Sequence, residues 1–492
     1  VERLKKVVLI LSILTVTLFG SQKSQLDEKI KSAIVKVYTV AKIPDFTMPW
    51  NSKIRRVNGS GAVIDGKRIL TNAHVVANRT YIEIQKYGDR KRYIARVEAV
   101  SHQLDLALLR VRNEDEFFRG IEPLKLGKLP NIEQKVAVYG FPMGGDTLSV
   151  TKGIVSRIEH QRYVHCGEHF LAIQIDAAVN PGNSGGPAIS NGKIVGVVME
   201  GISKAQSISY LVPTMLVRHF LEDISDGKLD GVPSLGFLYQ KMENPTLRKY
   251  YKIDENHTGI LVDKTIYSSG LQGIIKNGDV LVSVDDHTIQ NDGTVAFRKN
   301  EFTNFDYFVE LHQIGESVKL GIYRDSKITS IDVNLTTVAD NLQLLKNYEY
   351  DKQPRFLIYG GYLFAPLSRN LAAKVASSYT ELLSYARKFV TKSKKEVVLL
   401  QRVLPDEINR GDYDFAYWPI EKINGKKFRD FDTFIQILLS LEDNYIVLEN
   451  KLGTKVIIDI KEAKRRQKEI LRKYNIEYPA SFDILRKYKI LE

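Results

Sequence analysis

The sequence predicts a mainly β chain: two packed β-barrels, followed by two smaller sheet modules, the second carrying added helices. Three observations predict it. Between Ile30 and about Phe220 the apolar residues come in short runs (Ala33–Val40, Ser60–Ile64, Tyr81–Gln85, Lys135–Tyr139, Leu171–Ile175, Ile194–Met199) separated by turn-forming Gly, Asn, Asp and Pro. Beyond Gly231 a succession of loop, strand and hairpin occurs and then recurs once in divergent form, as duplicated modules do. The chain has 492 residues, more than one hydrophobic core holds, so several domains are expected.

At the N-terminus the basic segment Val1–Lys6 precedes an apolar run from Val7 to Gly20, the pattern of a bacterial-type export signal. The run is shorter than the roughly 20 residues that cross a bilayer, so membrane contact is expected only through an uncleaved N-terminus. Gly20 and Ser21 lie near the expected processing site, although no Ala-x-Ala sequence or lipobox cysteine is present. Residues 1–21 are therefore set apart, and the chain is expected in the periplasm, soluble or peripherally held.

Cys166 is the single cysteine, which excludes an intrachain disulfide framework. With His165 and His169 in a Gly-containing turn it makes only a weak metal signal and is read as a bystander. The formal charge of +13 is diffuse. Lys461–Lys468 mixes basic with polar and acidic residues at helical spacing, which reads as a solvated helix face and not as a specific nucleic-acid surface.

The first barrel is expected to open on a hairpin, Gly59–Ile64, turn Asp65-Gly66, Arg68–Thr71, that carries the chain into Asn72-Ala73-His74-Val75-Val76. Asp105 follows in Leu104-Asp105-Leu106, an apolar setting where an ionised carboxylate needs a hydrogen-bonding partner. Then comes Gly182-Asn183-Ser184-Gly185-Gly186-Pro187. A serine hydroxyl is a poor nucleophile until an imidazole takes its proton, and a carboxylate fixes the imidazole tautomer. The order His, Asp, Ser is that of double-barrel peptidases, not of α/β-hydrolases or subtilisin-type enzymes. His74 is thus expected as base, Asp105 as orienting acid and Ser184 as nucleophile. The Gly182 and Ser184 amides, with Asn183 between them, are expected to form an oxyanion hole. Such chemistry uses no metal and no organic cofactor.

These stretches, with Ile173–Pro187 and Gln240–Pro245, resemble the Deg/HtrA family of serine proteases, and within it the plant-type Deg branch with two PDZ-type domains. The resemblance implies a chymotrypsin-like double β-barrel, cleavage of unfolded or damaged polypeptides as an envelope quality-control endopeptidase, and assembly as trimers or hexamers. It assigns His74, Asp105, Ser184 and the Gly182 and Ser184 amides the same roles as the residues themselves suggest. It also implies that Phe141–Ser149 and Met199–Ser207 are movable loops that assemble the pocket. Ala178 stands six residues before the nucleophile, where trypsin-like enzymes carry an aspartate, so a small or medium apolar side chain is expected before the cut, with Val197 and Val198 as pocket walls. The segment Pro44–Trp50 is short compared with the regulatory loop of some periplasmic relatives, and its aromatic residues are expected to serve subunit contact or to cover one barrel end.

Ser234-Leu235-Gly236-Phe237 resembles the carboxylate-binding loop of a PDZ domain, with Leu235, Gly236 and Phe237 as candidate contacts for a peptide added as a strand. Gly259–Val262, Ile274–Leu281 and Val284–Ile289 supply the following strands and hairpin. In the second copy Tyr359-Gly360-Gly361-Tyr362 parallels that loop, Val397–Leu400 the strand and Glu421–Phe428 the hairpin, with one or two helices inserted over Leu367–Phe389. After that hairpin a helix is expected over Phe428–Leu441, strands over Tyr445–Leu448 and Thr454–Ile460, and a helical tail over Lys461–Leu485. The expected domains are 28–226, 231–340 and 354–492. The competing readings are a chaperone-like binding factor with secondary protease activity, and a membrane-associated scaffold.

Overall fold

A computed structural model describes residues 25–143, 145–199 and 208–490. The expected export segment and most of the second movable loop, residues 200–207, lie outside the described residues. Among the described residues no helix is long and apolar enough to cross a membrane.

Two compact units emerge. The first comprises residues up to Ala41, Arg55–Val232 and Phe297–Gln313; the second comprises Lys42–Ile54, Pro233–Ala296 and Ile314 onward. Thus the expected 28–226 domain lends 42–54 to the second unit, and the expected 231–340 module lends 297–313 to the first.

The first unit is built on two closed barrels. One joins β1 (Ile34–Pro44), β2 (Ser52–Ile64), β3 (Arg68–Thr71), β4 (Arg79–Lys86), β5 (Arg92–Ser101) and β6 (Leu106–Val111) in the order β1-β2-β3-β6-β5-β4. The other joins β7 (Lys135–Gly140), β8 (Ser149–Arg162), β9 (His169–Ile175), β10 (Pro187–Ser190), β11 (Lys193–Val198) and β12 (Ser209–Pro213) in the order β10-β11-β12-β9-β8-β7. Closure removes the unpaired edges an open sheet would present. The β5 sequence alternates, its Tyr93 and Ala95 facing inward between exposed residues, so one face meets the core. The β10 and β12 runs are buried throughout, which is why they read as continuous apolar stretches. Gly66 and Lys67, both with positive φ (81° and 54°), close the turn that sets Ile64 opposite Arg68.

Residues 297–313 dock on the second barrel. Phe297 and Tyr307 pack against its apolar cluster of Val136, Leu171 and Ile173. The Arg298 guanidinium donates to the Pro130 and Leu129 carbonyls at 2.8 and 3.0 Å. His160 on β8 lies between Thr303 (Nδ1 to Oγ1, 2.7 Å) and Glu310 (Nε2 to Oε1, 2.8 Å). Burial and the adjacent Glu310 push the Asp306 carboxyl up to about 6, against the opposing pull of His160. For His160 burial works downward, but the charge and hydrogen bond of Glu310 outweigh it and the imidazolium is favoured.

The two signs agree. A carboxyl raised in the folded state is most favourable while protonated and adds a penalty as pH climbs through its folded value. A raised histidine contributes stability below its unfolded value and loses it as pH rises through the folded one. The docking of this segment is therefore expected to weaken between about pH 5.5 and about pH 8, seen as faster amide hydrogen exchange over residues 303–310 after correction for intrinsic rates, with Asp306→Asn reducing the difference. Equal protection at both pH values would refute it.

In the second unit β13 (Phe237–Lys241), β14 (Ile260–Thr265), β15 (Val280–Val284), β19 (Ser317–Arg324) and β20 (Lys327–Asn334) form a sheet in that order, with β16 (His287–Thr288) paired to β15. β17 (Thr294–Arg298) and β18 (Glu301–Asn304) pair separately with each other. The later module holds two four-stranded sheets. One runs β21 (Leu357–Tyr359), β22 (Tyr362–Pro366), β23 (Val398–Val403), β24 (Trp418–Ile420). In the other, β25 (Lys422–Ile423) lies between β26 (Lys426–Lys427) and β27 (Tyr445–Glu449), and β28 (Lys455–Asp459) pairs with β27. The expected inserted helices are Arg369–Val375 and a 3₁₀ turn over Thr380–Arg387; the next is Phe431–Leu439, and the tail forms Ile460–Lys473 and Phe482–Tyr488. The helix Ile460–Lys473 buries Ile460, Ala463, Ile470 and Leu471 and leaves most of its charged residues in solvent.

One expectation fails here. Gly360-Gly361 does not parallel the first loop but forms the two-residue turn that pairs Tyr359 with Tyr362, with φ of 56° and 86°. It is also covered: the Gly360 amide donates to Gln467 Oε1 at 2.7 Å, and a Cβ on Gly360 would lie 2.6 Å from that of Ala463. The segment Pro44–Trp50 packs within the second unit. Phe46 is buried with Leu344, Leu345 and Leu371, Trp50 meets Phe356 edge-on at 6.1 Å, and Gln401 Nε2 donates to the Phe46 and Thr47 carbonyls. The partner core is made by residues some 300 positions later, so no local pattern announces it.

Candidate active site

β3 ends at Thr71 and passes directly into the short helix Ala73–Val76, which fixes where His74 can point. The Asn72 amide donates to the Asp105 carbonyl at 2.8 Å, tying this helix start to the turn between β5 and β6. In that turn Asp105 adopts a left-handed φ of 54°, which aspartate tolerates better than most residues. Its carboxylate is buried and takes three approaches from His74: the backbone N–H to Oδ1 at 2.9 Å, and Nδ1 to Oδ1 and Oδ2 at 3.0 and 2.8 Å. An ionised carboxylate only accepts, so Nδ1 carries the proton and Nε2 is left as the base. Burial alone would raise the Asp105 carboxyl; the positive fields of His74 and His165, with the His74 hydrogen bonds, outweigh it and hold it low.

The turn 182–187 lies against the same segment. Gly185 has a φ of 82°, and a Cβ there would stand 2.3 Å from both the Ser60 carbonyl oxygen and Thr71 Oγ1, and 3.0 Å from the Asn72 nitrogen. Only glycine lets the chain beside Ser184 approach so closely two residues before His74. Ser184 is itself buried, and its carbonyl accepts the Ser60 N–H at 2.8 Å.

Within the turn the amides divide into two groups. Asn183 donates to Asn180, Gly185 to Val198 and Gly186 to Asn183, at 3.0, 3.0 and 2.9 Å. The amides of Gly182 and Ser184 have no acceptor among the described residues. Two unanswered donors alternating with satisfied ones are what a developing oxyanion needs.

The segment after β7 backs this turn. The Met143 N–H donates to the Pro181 carbonyl at 2.7 Å, and buried Lys36 on β1 holds the loop through the Gly145 carbonyl (3.0 Å) and Asp146 (2.7 Å). Phe141–Ser149 is thus held from the first barrel at one end and by the nucleophile turn at the other.

The pocket expectations gather less well. Val197 and Val198 are both fully buried, Val198 within the second-barrel cluster, and as neighbours on β11 they face opposite ways. Ala178 is exposed. The small open space beside the histidine–aspartate pair is lined instead by Asp105, Tyr163, His165, Met199 and Tyr210 among others. Of the PDZ-loop candidates, Leu235 is buried, Gly236 has a φ of 69° with Ser269 and Leu342 filling the place of a side chain, and Phe237 begins β13, an edge strand.

Sequence reasoning missed two neighbours of the site. His165 places Nε2 2.9 Å from His102 Nδ1, and its ring centroid is 6.1 Å from that of His74. Ser60, read only as a strand residue, ties the nucleophile turn to the loop behind it. Beside His165, Cys166 is buried, its thiol pushed up by burial, and faces the Tyr163 carbonyl.

Residues 59–197 match the trypsin-like peptidase domain family, and residues 345–483 the PDZ domain family. The chain is 37% identical over 464 residues to protease Do-like 4, mitochondrial, of Arabidopsis thaliana, spanning 94% of this chain and 86% of that protein. It is 36% identical over 470 residues to protease Do-like 2, chloroplastic, of the same plant, spanning 94% of this chain and 77% of that one. Among solved structures, the HtrA-type protease AlgW with tripeptide aligns with a TM-score of 0.50 at 21% identity, over 64% of this chain and 96% of that one, a likeness of fold.

Proposed function

The chain belongs to the Deg/HtrA family of serine proteases, and from that premise we propose that its endopeptidase chemistry runs through Ser184, His74 and Asp105. His74 Nε2 takes the Ser184 proton as the hydroxyl attacks a peptide carbonyl; the Gly182 and Ser184 amides receive the oxyanion. His74 then protonates the leaving amine, and water, activated by the same imidazole, hydrolyses the acyl-enzyme. Asp105 orients the ring and stabilises its charged form. The observation that carries this reading is the pair of unanswered amides at Gly182 and Ser184, one of them the nucleophile's own.

The substrates proposed are unfolded or misfolded polypeptides, with an extended segment added along the β13 edge as a strand. No carboxylate stands at Ala178 to pair with a basic side chain, so cleavage is proposed after small or medium apolar residues. Digesting unfolded casein and a peptide library and reading the cut sites by mass spectrometry tests this. Apolar residues before the cut are the expected result, and a profile dominated by Lys or Arg would overturn it. Trimers or hexamers are proposed as the working assembly, checked by native mass measurement with and without casein. The plant relatives bear mitochondrial and chloroplastic names, so the compartment proposed is extracytoplasmic or organellar, not the bacterial periplasm in particular.

A further inference from the structure

Ser60 sits on β2, fully buried, and makes four hydrogen bonds with three separate stretches of chain: Phe141, the 182–184 turn and Thr71. Its hydroxyl accepts the Phe141 N–H at 2.8 Å and donates to the Gly182 carbonyl at 2.7 Å. Its own N–H donates to the Ser184 carbonyl at 2.8 Å, and its carbonyl accepts from Thr71 Oγ1 at 2.7 Å. A hydroxyl is suited to the first pair because it donates one bond and accepts another at a single atom.

These bonds fix the peptide planes that flank the two unanswered amides. A peptide plane is rigid, so fixing its carbonyl fixes the N–H on its other side. The Gly182 N–H shares a plane with the Pro181 carbonyl, and that carbonyl is held by Met143 N–H at 2.7 Å. Met143 is held in turn by its attachment to Phe141, whose N–H ends on Ser60 Oγ. The Ser184 N–H shares a plane with the Asn183 carbonyl, which accepts the Gly186 N–H at 2.9 Å, and Ser60 holds the planes on either side of it, the one after Gly182 through Oγ and the one after Ser184 through its N–H. Gly182 gives the turn latitude to rotate, with a φ of 100°, and its backbone runs so close to the loop that a Cβ would lie 2.5 Å from the Phe141 carbonyl oxygen. Without the hydroxyl, two buried polar groups, the Phe141 N–H and the Gly182 carbonyl, lose their partners together. Buried unpaired groups favour any rotation that finds them new ones.

The geometry points to Ser60 as the positioning residue of the oxyanion hole: its hydroxyl is the tie that keeps the Gly182 turn and the 141–143 segment in one register. This rests on the assignment of Ser184 and the hole given above. Ser60 touches no substrate and takes no part in proton transfer, so its loss acts on transition-state stabilisation with the triad intact.

The test uses the full chain. Ser60→Ala is expected to lower kcat by about 30- to 100-fold with KM changed by less than about threefold, the scale of misaiming one oxyanion donor. The acid limb of the pH–rate profile is expected to stay where it is, since His74 and Asp105 are untouched. Affinity for a peptide aldehyde, whose adduct carries an oxyanion, is expected to fall in step with kcat. Ser60→Cys has nearly the same size and weaker hydrogen bonding, so it falls between wild type and the alanine variant; should alanine fail to fold, it carries the test. Unchanged kcat and aldehyde affinity in a folded variant would overturn the inference, as would activity losses that merely follow the fraction unfolded by thermal melting. Failure of the underlying assignment looks different: a fluorophosphonate would then not label Ser184 in the wild-type chain.

Discussion

Replacing Ser184 by alanine is expected to lower kcat by about 10⁶-fold, the loss seen when a triad nucleophile is removed, leaving about 10³-fold over water from the hole and binding alone. The fold is expected to survive intact. The Ser184 side chain has no hydrogen-bond partner among the described residues, while its carbonyl, which holds Ser60, is backbone and stays in place. The melting temperature is therefore expected to stay within about 2 °C of wild type, the range of a surface-scale change in stability. Casein digestion followed on gels, with fluorophosphonate labelling as a parallel readout, checks both halves. Cleavage at wild-type rate by rigorously purified Ser184→Ala would remove the residue from the mechanism.

Asp105→Asn is expected to cost about 10⁴-fold in kcat, because an amide of the same shape fixes the wrong tautomer. In the native site both carboxylate oxygens face His74, Oδ1 meeting the backbone N–H and the ring and Oδ2 the ring. An asparagine presents one oxygen and one NH₂. With the oxygen kept on the His74 backbone N–H, the NH₂ faces Nδ1 and forces it to accept, so Nε2 carries the proton and is lost as a base. The pH profile discriminates this from general damage: as pH rises and hydroxide competes as base, the variant's relative activity is expected to climb while wild type levels off. Stability shifts in the acid range as well. Asp105 has a lowered folded pKa, so its contribution is present above the unfolded value and lost as pH falls through the folded one; the amide lacks that dependence. Wild-type kcat in Asp105→Asn would show that His74 needs no oriented tautomer.

The parts of the site legible in the sequence are those whose chemistry is local. Ser184 sits in a string whose neighbours must be small for the backbone to pass closely, as Gly185 does against Ser60 and Thr71, and that requirement leaves readable glycines; His74 was legible from the hairpin that delivers the chain into Asn72-Ala73-His74-Val75-Val76. Asp105 was legible for another reason: a carboxylate between leucines demands a partner. The strands were legible from alternation and from apolar runs of barrel length. Ser60 and His165 were not, because their partners lie 122 and 63 positions away and their own surroundings are ordinary for a strand and a turn. Val197 and Val198 were misread by treating adjacent residues of one strand as two walls of one pocket. Gly360-Gly361 carries the same letters as a ligand loop, and the helix that covers it is declared only a hundred residues later.

The exchange of segments, 42–54 to one unit and 297–313 to the other, bears on how such a chain is inherited and dissected. Its modules are not beads that recombination can reorder freely. A gene fragment ending after the second barrel would strip Phe297 and Tyr307 from the face they cover, leaving sticky surface exposed in the shortened product. The same fragment would leave Phe46 and Trp50 without the residues that enclose them. Peptidase and appended modules are thus expected to fold together as one block.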